Sequence, residues 1–119
     1  MGRRSRQRAR TEPLAAPSTD YRDAGGNVLT LRGSITPATR REYAGVRAGS
    51  PLSQEDAWQR SAEFLFERLA VRWEIAGAPI EKQKELLARF RVASQDERAW
   101  IRSVLREHLA EWFPDVEAP

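Results

Sequence analysis

The chain predicts a mainly α fold: an irregular three- to four-helix bundle around one central helix, with a short β-hairpin over one edge and a disordered basic tail in front. Three observations carry this expectation. Helix start and stop signals recur four times, one long segment is apolar on two sides, and a glycine-rich turn separates two short apolar runs. With 119 residues, 40% of them hydrophobic and 31% charged, the chain has room and composition for one globular domain.

Residues 1–18 read as a disordered tail. They hold Arg3, Arg4, Arg6, Arg8 and Arg10, with Pro13 and Pro17 and too little apolar surface to offset ordering entropy. A helical domain is expected over 19–119. It opens on the hairpin, 19–32, where Asp23-Ala24-Gly25-Gly26-Asn27 supplies the turn and Leu29 and Leu31 share a face. Thr36-Pro37 then caps a helix over about 37–47, and Gly49-Ser50-Pro51 breaks it.

Ser53, with Asp56 three residues on, starts the central helix over about 54–76, which Gly77 and Pro79 stop. Trp58, Ala62, Leu65, Leu69 and Trp73 form one stripe of it; Ala57, Phe64, Val71 and Ile75 form another. A helix apolar on two sides is expected at the centre of a bundle, or against a second copy of the protein. A third helix follows over about 80–93, with Leu86, Leu87 and Phe90 on one stripe. Ser94 and Glu97 form a capping-box signature for a fourth, over about 95–112, ending before Pro114.

Charge separates the two parts. Of 20 Lys and Arg, the five tail arginines leave 15 in the body, against 17 Asp and Glu in the whole chain. The sequence pI near 9.9 is thus a property of the tail. Clustered arginines of this kind bind phosphate backbones by counterion release, or meet an acidic protein surface or anionic lipid. They also suit a solubilising terminus with no partner, since a GC-rich coding sequence favours arginine over lysine. Arg3-Arg4 is followed by no apolar stretch longer than Leu14-Ala15-Ala16, so no export signal is read, and a cytoplasmic protein is expected.

No motif points to catalysis or to a cofactor. There is no cysteine, and neither a G-x-S-x-G elbow nor a phosphate-binding glycine loop occurs. His108, the one histidine, falls on the apolar stripe of the last helix. Glu63 and Glu67 sit on the polar face of the central one, and Glu107-His108 lacks the Glu-x-x-His spacing of dimetal bundles. A helix-turn-helix reading of the last two helices fails on Asp96-Glu97, which would oppose carboxylates to DNA phosphate.

The interface candidates are arginines beside aromatic positions: Arg68 and Arg72 between the two apolar stripes, and Arg98, Arg102 and Arg106 as a ridge on the last helix. Ile35-Thr36-Pro37-Ala38-Thr39-Arg40-Arg41-Glu42-Tyr43 and Phe64-Leu65-Phe66-Glu67-Arg68-Leu69, in a lysine-poor chain, resemble small all-helical proteins of high-GC actinobacteria. That resemblance implies a helical fold and no activity or site residue. The expected function is a non-enzymatic protein-interaction or scaffold module, docking a protein partner or itself, with the tail as an electrostatic tether. The alternative is a nucleic-acid-associated protein that holds phosphate backbone through the tail.

Overall fold

The computed structural model describes residues 17–48 and 54–119. The five tail arginines, the Gly49-Ser50-Pro51 break and the Ser53 cap lie outside the described residues. The chain folds as β1 (Ser18–Arg22), β2 (Val28–Arg32), α1 (Pro37–Ala48), α2 (Gln54–Leu69), β3 (Ala70–Ile75), β4 (Ala78–Ile80), α3 (Gln83–Arg91) and α4 (Gln95–Trp112). The expected mainly α bundle is overturned. The fold is α+β, with a four-stranded antiparallel sheet in the order β1-β2-β3-β4.

The expected central helix over 54–76 ends at Leu69, and the chain passes straight into β3. A 3.6-residue period is expected over residues 70–75, but Val71, Trp73 and Ile75 alternate with Arg72 and Glu74, the period of a strand. No glycine or proline stands between Leu69 and Ala70 to mark the change. Gly77, expected to stop a helix, instead forms the β3–β4 turn. Ala76 and Gly77 both have positive φ, +52° and +79°, as a two-residue type I′ hairpin requires. The helix expected over 80–93 is shorter, because Ala78–Ile80 is the edge strand.

Register builds the inner face of the sheet. Tyr21 pairs with Leu29, Leu29 with Trp73, and Trp73 with Ile80. A shift between Thr30 and Leu31 puts Ala70 opposite Leu31 and leaves Val71 as the extra residue of a bulge. The helices cover this face: Leu65, Phe66 and Leu69 of α2, Leu86 and Phe90 of α3, and Ile101, Leu105 and Leu109 of α4 join it in one core. Each such side chain stabilises by about 1.5–3 kcal/mol when fully buried. The other face is polar, with Thr30 donating to Asp20 and Arg72 paired with Glu74 and Glu81.

Asn27 joins the two hairpins. Its side-chain amide N–H donates to Asp23, and its carbonyl oxygen accepts the Ala76 N–H at 2.9 Å. At the other end of β2 the Gly33 N–H donates to the Pro17 carbonyl, and a Cβ on Gly33 would lie 2.9 Å from that oxygen and 3.0 Å from the Trp112 ring. Only glycine fits there. Among the described residues, no helix is long and apolar enough to cross a membrane.

Candidate functional site

The second half of α4 is sealed against the β1–β2 hairpin. His108 is fully buried. Its Nδ1 accepts from the Tyr21 hydroxyl at 2.8 Å, and its Nε2–H donates to the Arg32 carbonyl at 2.8 Å. Both bonds suit a neutral imidazole, and burial holds its pKa below the ordinary value. Burial, with Glu107 and Glu111 nearby, pushes the Tyr21 phenol up to about 12. One turn on, the Trp112 indole donates to Thr19. Every polar group here has a partner within the fold, and the arrangement acts as a pin. Glu63, paired with Arg91, and Glu67 border a separate cleft between α1 and α2, so neither converges on His108.

The first half of α4 faces α2 and α3, and there the polar groups are arranged differently. Ser94 and Glu97 close a reciprocal capping box, with Glu97 accepting from the Ser94 N–H and Ser94 from the Glu97 N–H. Arg89 of α3 binds the same Glu97 at 2.6 Å, which holds its carboxyl below the usual range, and lies over the Trp73 ring. Arg98 donates to the carbonyls of Arg91, the last residue of α3, and of Ala93 in the connection, and lies over Phe90. The α3–α4 corner is thereby fixed by side chains rather than by turn chemistry alone.

That corner sets Arg102 beside Trp58 of α2. Its guanidinium carbon lies 4.1 Å from the Trp58 ring centroid, and its Nε is buried without a hydrogen-bond partner. Trp58, Phe90, Ala62 and Ala99 give the cleft an apolar floor, Arg98 and Arg102 a cationic wall, and Gln59, Gln95 and Glu55 a polar rim. The cleft has a volume of about 230 Å³. Arg102 thus presents a desolvated donor over an aromatic face, where a carboxylate or carbonyl would complete its hydrogen bonding.

The five body arginines singled out from the sequence do not form one surface. Arg98 and Arg102 meet at the cleft. Arg68 lies over Phe64 and pairs with Glu42 of α1, and Arg72 is on the polar face of the sheet. Arg106 is exposed on the flank of α4. With Arg40 over Phe113, five arginines among the described residues lie over aromatic rings. Such contacts occur about once per 70–80 residues, so arginine serves here as cover for aromatic edges as much as a source of charge. Spacing puts Trp58 on an apolar stripe; its half-buried place beside an arginine is not legible from period alone.

No protein-family model, curated protein or solved structure matches this chain.

Proposed function

We propose that this protein is a non-enzymatic protein-interaction module, and that the Trp58–Arg102 cleft takes a partner segment presenting an apolar side chain next to a carboxylate. The observation that carries the reading is the Arg102 Nε, buried over Trp58 with no acceptor. Aromatic and arginine anchors in partly desolvated pockets dominate binding energy at protein interfaces. The site also rests on helices braced by the Ser94–Glu97–Arg89 network, which keeps the cost of ordering low.

A peptide array that varies one apolar and one acidic position tests this, with bound peptides then titrated against tryptophan fluorescence of the full chain. Apolar-acidic peptides should bind and perturb the emission, and Arg102→Gln should weaken them at least tenfold, about 1.4 kcal/mol. Equal affinity for peptides with the carboxylate replaced by an amide, or for the Arg102→Gln protein, refutes the assignment.

The tail gives a second reading its own support. Five arginines within the first ten residues, with no acid among them, suit phosphate backbone. Under this reading, duplex DNA binding falls steeply between low and moderate salt and disappears when residues 1–10 are deleted. Binding that survives the deletion counts against the tail.

A further inference from the structure

The residues that follow α4 lie along α1 in the manner of a bound peptide. Arg40, Tyr43 and Arg47, at spacings of three and four, share one face of α1. Against them runs the segment 114–119. Arg40 pairs with Asp115 at 2.6 Å, Arg47 Nη2 with Glu117 at 3.1 Å, and the Tyr43 hydroxyl donates to the Glu117 main-chain carbonyl at 2.5 Å. Val116 and Ala118 lie against the core. The seated motif is acidic, apolar, acidic: Asp115-Val116-Glu117.

Two features mark this seat as an exchangeable one. The Asp115 and Glu117 side chains are 71% and 77% exposed, so solvent and a competing acidic chain can reach both ion pairs. The Arg47 side chain, by contrast, is only 19% exposed; its Nε and Nη1 are buried beside the Tyr43 hydroxyl, and neither meets an acceptor of the segment. The segment leaves open a space of about 610 Å³ bordered by Arg40, Tyr43 and Arg47. The groove therefore holds more donor capacity than its own segment uses.

We infer that this face of α1 is a docking groove for an extended acidic peptide of a partner protein, and that segment 114–119 occupies it in competition with that partner. The groove is distinct from the Trp58–Arg102 cleft, and either can fail without the other. Phe113, 3% exposed, anchors the end of α4, and Pro114 follows it, so release of the segment begins past the anchor and leaves the helix in place. A tethered occupant acts at millimolar effective concentration, which lowers the apparent affinity of any peptide arriving from outside.

A fluorescent, end-blocked peptide of sequence Pro-Asp-Val-Glu-Ala-Pro, followed by anisotropy against the full chain, tests the inference. The Asp115→Asn/Glu117→Gln protein should bind it about tenfold more tightly than the natural chain, because the internal competitor is weakened. Arg40→Gln/Arg47→Gln added to the Asp115→Asn/Glu117→Gln protein, where the internal competitor is already weakened, should bind at least tenfold more weakly than that protein, and an Asn/Gln version of the peptide should not bind. Glu117→Gln alone, which keeps the Tyr43 bond to the main chain, should give an intermediate gain and guards against a double variant that fails to fold. Equal affinity for the natural and Glu117→Gln proteins, or undiminished binding by the arginine variant, overturns the proposal. So does a concentration-dependent dimer that dissociates when the acids are neutralised, since the groove's occupant would then be a second copy.

Discussion

The two halves of α4 make opposite use of polar side chains on one helix. Toward Trp112, His108 is fully enclosed, and both its nitrogens are matched by the Tyr21 hydroxyl and the Arg32 carbonyl. Toward Ser94, Arg102 is partly covered, lies over a ring, and keeps a buried Nε with no acceptor. A matched buried group is a structural fastening, because its removal leaves its partners unpaired. An unmatched donor at the wall of a cleft costs stability in the free protein, a cost that an arriving ligand can offset.

The largest effect that separates the two halves is expected from His108→Ala. It opens a cavity and strands the Tyr21 hydroxyl and the Arg32 carbonyl, costing about 3 kcal/mol in denaturant unfolding. Where enough of the variant folds, its peptide affinity at the Trp58 cleft should match the natural chain; a selective loss of affinity would mean the two halves are coupled.

Acid should act on the sealed half next. The pKa of folded His108 is lowered, so the unfolded chain takes up a proton first as pH falls. The contribution is fully present above the unfolded value, about 6.5, and is lost as pH falls from there through the depressed folded value. Thermal midpoints should therefore decline across this window, and the decline should be absent from His108→Gln. An unchanged slope in that variant would place the acid sensitivity elsewhere, for instance on Glu97. The smallest effect is expected at the open half: Arg102→Gln should change stability by less than about 1 kcal/mol, as for a partly exposed stack. A larger loss on denaturant titration would make Arg102 a fastening like His108.

The sequence made the first and last helices readable through their chemistry. Thr36-Pro37 opens α1, and the reciprocal pair Ser94 and Glu97 opens α4. It concealed the second half of the sheet. A strand joined directly to a helix has no punctuation, and Val71, Trp73 and Ile75 continue the preceding helical stripes by coincidence of spacing. The one sign was the excess of apolar surface around the expected helix, which a change from period 3.6 to period 2 accounts for. For the site, the residue types at Arg98 and Arg102 were informative, but their partners were not. Trp58 comes from another helix, and whether an arginine pairs with an acid, ends a helix or covers a ring is decided by tertiary neighbours.

The path of the chain through the sheet has a consequence in time. Leu31 and Ala70 sit opposite each other at the centre of the sheet, yet the whole of α1 and α2 intervenes between them. The outer ladders, β1 with β2 and β3 with β4, close over short turns. Each alone is a two-stranded ribbon of marginal stability. The central ladder must wait for a long loop to close, and closure entropy is spent before its contacts form. Folding of the sheet is therefore gated by the meeting of its two hairpins. The Asn27 bond to Ala76, which ties one turn to the other, forms only once that meeting has occurred.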